Sequence, residues 1–366
     1  MNIPFLDLKA QYYRLRPQID SAIHRVLESG QFILGEEVAR LESEFANLCE
    51  VKHAVTVANG TEAIQLALIG CGIQRGEEVI TSTFTAVATV AAIESVGARP
   101  VLVDIDPDTY CINPASVKAA ITPRTRAILP VHLFGFPADL SSLLAIAEKH
   151  HLILIEDCAQ AHGAKYLHKK VGSWGKAGAF SFYPTKNLGA YGDGGAIVTD
   201  DSDLAEHLQS LRQYGWNSEK ISEEKGMNSR LDELQAAILR VKLADLETAN
   251  MRRIELANLY RRLLTGSKIT LPVVRSESEP VYHLFVIRHE QRDGLNRYLA
   301  TKGIATLVHY PIPVHLQKGY SDLGYTSGSF PAAEKASQEV LSLPLYPEMT
   351  DEMVYEVCQA LLSFSN

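Results

Sequence analysis

Between residue 50 and about residue 200 the chain alternates short β-branched runs with helical stretches, and this rhythm specifies an α/β domain on a largely parallel sheet. Strands are expected at Ala54–Ala58, Glu78–Thr81, Pro100–Val103, Ala127–Val131, Leu152–Glu156, Ala179–Phe182 and Ala196–Thr199, with helices between the first five. The segment after Asn59, GTEAIQLALIG, places Ile64, Leu66, Ala67 and Leu68 at helical spacing and closes on a glycine. A second amphipathic helix is expected over Asp232–Leu246, with Ser229 and Asp232 before it spaced as a capping box. From about Asn250 the pattern changes to a long polar helix, a strand at Tyr282–Arg288, a helix, a strand at Ala305–His309 and a last helix at Asp351–Phe364. A large α/β domain over 1–250 and a smaller α+β domain over 251–366 follow, with a soft boundary because no linker separates them. An N-terminal helix carries Ile19, Ile23 and Val26 on one face.

At 366 residues, 46% apolar and 21% charged, the chain has ample material for a packed core. Its net charge of −8 argues against a general nucleic-acid binder, which needs a basic face. Cys49, Cys71, Cys111, Cys158 and Cys358 form no CxxC pair and no cluster at zinc-ligand spacing, so no metal site is expected and a reducing cytoplasm fits best. The start lacks a signal-peptide pattern, and the most apolar stretch, around Thr85–Val96, is too short to span a bilayer.

Three windows carry candidate chemistry. In AFSFYPTKNLGAYGDGGAIVT, Lys186 lies in a glycine-rich loop between two apolar strands, and glycines let backbone approach a bound group. An isolated lysine in such a loop is more often simply solvated. In HLILIEDCAQAHG a strand ends at Asp157, and the carboxyl ends of parallel strands face the ligand crevice. A single acid at that position is more often a cap or a loop charge. In ANGTEA the chain turns through Asn59 and Gly60 into a helix whose first N–H groups and dipole suit a phosphate, although NG followed by Thr61 is also an ordinary turn and cap. Phe84, at a fourth strand end, could stack on a flat ring or be ordinary core.

Taken in order, NGTEA, ED-x-AQAHGA and SFYPTKNLGAYGDGGA resemble the DegT/DnrJ/EryC1/StrS family of sugar aminotransferases. The resemblance extends to FLDLKAQY, SGQFILGEEV, PVHLFG, GMNSRLDELQAAILRVKL and HYPIPVHLQ, covering nearly the whole chain. It implies a fold-type I enzyme dependent on pyridoxal 5′-phosphate, acting as a homodimer with active sites shared between subunits. By position, Lys186 matches the lysine that bonds the cofactor, Asp157 the partner of its pyridine nitrogen and Gln160 the residue near its ring hydroxyl. Phe84 matches the stacking aromatic; Gly60, Thr61 and Ser181 match the phosphate site; Asn228 matches an asparagine lent by the neighbouring subunit. Relatives that remove oxygen have histidine in place of the lysine, so Lys186 implies transamination.

The reaction expected is a two-stage transfer from an amino acid, L-glutamate, to a nucleotide-linked keto-sugar, with the neutral Lys186 amine moving the proton in both stages. Tyr183 beside the lysine and His309, Tyr310 and His315 in the proline-stiffened HYPIPVH segment are the candidate substrate contacts, although that segment also reads as a rigid connection. The segments from Arg212 to Leu234 and from His309 to Gln317 resemble members acting at sugar C3, which implies a dTDP-3-keto-6-deoxyhexose. A UDP-linked 3-keto-uronate or a 4-keto sugar is the alternative. A regulator that binds cofactor without turnover is disfavoured by the intact set Lys186, Asp157, Gln160 and Asn228. A dinucleotide-binding dehydrogenase is disfavoured because the GDGG run lacks GxGxxG spacing between a strand and a helix.

Overall fold

In the computed structural model, which describes residues 2–364, seven strands form one sheet. They are β1 (His53–Val57), β2 (Glu78–Ser82), β3 (Arg99–Val103), β4 (Thr125–Leu129), β5 (Ile153–Asp157), β6 (Ala177–Ser181) and β7 (Gly195–Thr199). Their order is β1-β7-β6-β5-β4-β2-β3, and β7 alone runs against its neighbours. The sheet is therefore mixed and mostly parallel, as expected, with strand ends displaced by a residue or two.

Successive strand residues point to opposite faces, and this sequence buries both. Val55, Val79, Leu129, Ile155 and Ile197 feed one apolar cluster, whereas Ala54, Ile80, Ile128, Leu154 and Val198 feed the other. Each of the valine, leucine and isoleucine side chains among these stabilises the fold by about 1.5–3 kcal/mol, so the two faces of the sheet form the rigid base of the molecule. The helices are α1 (Leu8–Ser29), α2 (Glu36–Leu48), α3 (Gly60–Gly70), α4 (Val87–Ser95), α5 (Pro114–Ala120), α6 (Leu140–His150), α7 (Ser202–Leu211), α8 (Glu233–Leu264), α9 (Arg292–Thr301), α10 (Pro331–Glu339) and α11 (Asp351–Phe364). Residues of α3, α4 and α7 fill the first cluster, and α2, α5, α6 and α8 contribute to the second. Leu15 and Ile19 of α1 pack with Ile238, and Ala22 and Val26 pack with Ala237, so the N-terminal helix rests on α8.

α8 departs most from expectation. It runs unbroken for 32 residues, and the position proposed as a domain boundary, near 250, falls inside it. The capping box does not form: the Ser229 hydroxyl accepts the Ala58 N–H at 3.1 Å, and Asp232 caps the helix without a side-chain hydrogen bond. Glu233 instead reaches across to α2, where its carboxylate accepts the N–H groups of Gly35, Glu37 and Val38.

In the C-terminal part, β8 (Phe285–Arg288) pairs antiparallel with β9 (Val340–Leu343). β8 is shorter than expected because Tyr282 takes a left-handed φ of 45°, and Val281 and Leu284 donate to the turn at Phe134 and Gly135. The strand expected at Ala305–His309 is reduced to one bridge between Leu307 and Ser342, since Ala305 and Leu307 are exposed and form no buried face. Among the described residues no helix is long and apolar enough to cross a membrane.

Candidate active site

Four chain reversals at the carboxyl ends of strands enclose a cavity of about 610 Å³, whose wall includes Gly60, Thr61, Asp157, Gln160, Ser181, Tyr183 and Lys186. These residues come from distant parts of the sequence, and the parallel sheet is what delivers them to one edge.

Asn59 caps α3 by accepting the Glu62 N–H at 2.9 Å, which leaves the N–H groups of Gly60 and Thr61 with no acceptor among the described residues. Such groups, with the helix dipole behind them, make an anion site. Only glycine fits at 60: an added Cβ would lie 2.5 Å from the Ser181 Cβ. The α3 turn and the end of β6 are thus in contact, and both face the cavity.

Asp157, at the end of β5, is buried. Its Oδ2 accepts the Thr89 hydroxyl at 2.8 Å and its Oδ1 accepts the Ala159 N–H at 3.1 Å. Burial raises the proton affinity of this carboxyl, and the two donors and Lys186 oppose the rise. Lys186 sits after a tight turn in which its N–H donates to the Tyr183 carbonyl at 2.9 Å. Its amine makes no hydrogen bond or ion pair with the described residues, and burial lowers its pKa to about 8, with Asp157 acting in the other direction. The surrounding imidazoles are held neutral. Burial first, then repulsion from Lys186, brings His162 to about 3, His309 to about 4 and His283 well below the ordinary range.

Gln160 has a fixed amide orientation, because the Phe134 N–H needs an acceptor. Its Oε1 accepts that N–H at 2.7 Å and its Nε2 donates to the Tyr310 hydroxyl at 3.1 Å. Tyr310 therefore meets the site through Gln160, while His309 is turned to the Ser342 hydroxyl at 2.8 Å. Tyr183 is half-exposed on the cavity wall. Asn228 is exposed and lies off this wall, in a bridge with Gln213.

Two expectations are corrected. Phe84 does not face the cavity: its ring is fully buried among Tyr110, Phe134 and Tyr310, and Ala86 and Ala159 present small side chains to the cavity instead. His315 is buried with both ring nitrogens engaged, Nδ1 with the Thr83 hydroxyl at 2.7 Å and Nε2 with Glu334 at 3.1 Å, so it holds the loop and offers nothing to a substrate.

His132, Glu156 and Cys158 come within ligand distance of one another, but their electrons are already committed. The His132 Nδ1 accepts the Ala138 N–H, so its Nε2 donates to Glu156 at 3.0 Å. Glu156 also accepts from Gly172, Trp174 and Gly175, and burial keeps the Cys158 thiol protonated. This is an anchor for the 172–175 loop.

Sequence reasoning missed Thr89 and Asn187. Thr89 is a polar residue in the otherwise apolar helix VATVAAI, which was a usable signal. Nothing local to Asn187 announced its contacts with Asn250, Val281 and His283.

A family model described as the DegT/DnrJ/EryC1/StrS aminotransferase family matches residues 14–362. The chain belongs to that family. It is 49% identical over 360 residues to the dTDP-3-amino-3,4,6-trideoxy-alpha-D-glucose transaminase of Streptomyces venezuelae, covering 98% of this chain and 95% of the relative. A protein of Geobacillus stearothermophilus called a pleiotropic regulatory protein is 47% identical, covering 100% and 99%. The crystal structure of S. venezuelae DesV superposes with a TM-score of 0.98 at 48% identity, covering 100% of this chain and 99% of that one. The family makes this chain a sugar aminotransferase dependent on pyridoxal phosphate. The residues fit that cofactor: the cavity pairs an anion-binding helix end whose cradle a Cβ would fill with a buried carboxylate and an unpartnered amine.

Proposed function

We propose that the enzyme transfers the amino group of L-glutamate to the 3-keto group of a dTDP-linked 6-deoxyhexose, releasing 2-oxoglutarate and the 3-amino sugar. The observation that carries the reaction class is the convergence of Lys186, Asp157 and the start of α3 on one cavity. The choice of sugar is supported by the relative that makes a dTDP-3-amino sugar at 49% identity over nearly both full lengths.

Bound pyridoxal phosphate supplies an electron sink that makes the α-proton of an attached amino acid labile. In this reading Lys186 would hold the cofactor at rest and, once the donor has displaced it, its Nζ would carry the donor's α-proton between the two carbons that flank the transferred nitrogen. A pKa near 8 suits that work, because a neutral amine is available close to neutrality. Asp157, whose ionised form is supported by Thr89, Ala159 and Lys186, would accept the ring N–H and keep that nitrogen protonated. The Gly60 and Thr61 N–H groups, with Ser181, would bind the phosphate, and Gln160 would take the ring-hydroxyl side. Tyr183 contacts substrate from the exposed part of the cavity wall, and Tyr310 acts through Gln160 with His309 next to it in the chain. In the same reading Asn228 serves the site of a second copy, so the working form is a homodimer, and its compartment is the cytoplasm.

The name of the Geobacillus relative raises the reading of a regulator without turnover. Lys186 and Asp157 are both present in a cavity of adequate size, and a non-catalytic binder has no need of a buried amine whose pKa is lowered there. Spectra decide. L-Glutamate is expected to bleach the visible absorbance of the loaded enzyme, and one member of a panel of dTDP- and UDP-linked 3-keto and 4-keto sugars to restore it. Lys186→Ala is expected to lack the band. Persistence of the band in glutamate would sink the transfer half of the proposal, and restoration by a UDP-linked or 4-keto sugar alone would overturn the choice of substrate.

A further inference from the structure

α8 turns a row of polar side chains toward the loop that carries Lys186. Positions 235 and 242 nearly coincide around the helix and 250 lies about 80° from 242 on the same side, since about 3.6 residues make a turn. Each grips a different part of the loop. The Gln235 Oε1 accepts the Tyr191 N–H at 2.8 Å, and its Nε2 donates to the Tyr191 carbonyl at 3.4 Å. The Lys242 Nζ donates to the Gly189 carbonyl at 2.7 Å and lies 4.1 Å from the centre of the Tyr191 ring. The Asn250 Oδ1 accepts from Asn187, the residue after Lys186, at 2.8 Å.

Lys242 is the unusual member. It is a buried amine with no carboxylate in hydrogen-bonding contact, and burying an ammonium without a strong partner is costly. Burial brings its pKa to about 8, opposed by Glu348. A leucine or methionine would fill such a position more cheaply. The carbonyl it holds belongs to a tight stretch: a Cβ on Gly189 would lie 2.4 Å from the Pro184 carbonyl oxygen, so the two ends of the Lys186 turn touch. Fixing Gly189 therefore fixes Pro184, and the turn between them has little freedom.

We propose that Lys242, with Gln235, is a positioning residue for Lys186, clamping the loop at Gly189 and Tyr191 so that the reactive amine is held at the wall of the cavity it shares with Asp157. The proposal rests on Lys186 as the cofactor-bonding lysine, yet its main test does not require cofactor. Backbone amide hydrogen exchange would be followed in the apo-proteins of wild type, Lys242→Met and Gln235→Ala. Exchange at 187–191 is expected to rise tenfold or more in both variants while β8 and β9 exchange as in wild type. In the loaded enzymes kcat is expected to fall tenfold or more with KM for both substrates nearly unchanged. A loop that exchanges at the wild-type rate, a rise spread evenly over the chain, or KM and kcat moving together would make Lys242 a packing residue and overturn the proposal. Gln235 is only partly buried, so Gln235→Ala carries the test alone if Lys242→Met does not fold. Full activity in Lys186→Ala would fail the lysine assignment, and the exchange result would still report on the clamp.

Discussion

A lysine amine in water holds its proton up to about pH 10.5, and burial among neutral imidazoles brings Lys186 down to about 8. The sign of the consequence is fixed. Below that value the amine is protonated and unreactive toward an aldehyde, and above it the neutral form dominates. The rate at which apoenzyme captures pyridoxal phosphate is therefore expected to climb about tenfold per pH unit up to about pH 8 and then level. Stopped-flow absorbance across pH 6–10 measures it, and a midpoint above 10 would mean that burial does not set the state of this residue. The same burial works against folding. An unfolded lysine gains its proton as pH falls through 10.5 and the folded one only near 8, so apoenzyme stability declines across that window.

Elements matter here through their ends. The start of α3 binds anions only if backbone can approach, and Ser181 at the end of β6 already fills the space beside Gly60. Gly60→Ala is expected to place a methyl 2.5 Å from the Ser181 Cβ, destabilising the protein by about 1–3 kcal/mol and weakening cofactor binding by at least tenfold. Thermal melts of apoenzyme and a cofactor titration measure the two effects separately. Unchanged affinity would place the phosphate elsewhere. The placement of Gly60 and Asp157 at the cavity was legible in the sequence because strand-to-helix turns and strand ends have local signatures. For Phe84 the resemblance, and for His315 its place in a proline-stiffened loop, suggested a role without revealing the direction of the side chain. Phe84 points from the same strand end into an aromatic cluster, and the His315 ring is consumed by Thr83 and Glu334, far from it in sequence. The length of α8 was hidden for a related reason. The expectation ended one helix at Leu246 and began a polar one near Asn250, yet Asn250 continues α8 and turns its side chain to Asn187 and His162 rather than to water.

At the scale of the whole molecule, the cavity of one chain assembles the proposed phosphate, ring and lysine contacts but omits Asn228, which is exposed and away from the wall. If Asn228 acts on a second copy, two damaged chains can repair one another. A dimer of Lys186→Ala with Asn228→Ala holds one site with both substitutions and one with neither. Random reassociation of equal amounts gives heterodimers as half of all dimers, so about a quarter of all sites regain full activity. If Asn228 acts within its own chain, each site of that heterodimer keeps one defect and mixing restores nothing. The measurement is the activity of the two variants before and after reversible unfolding together, with each refolded alone as the control. The Asn228 backbone pairs with Gln213 whatever its side chain, so Asn228→Ala is expected to fold and the mixing result reads the side chain alone. Recovery toward a quarter of wild type supports a shared site, and no recovery despite dimers in sedimentation would return Asn228 to its own subunit.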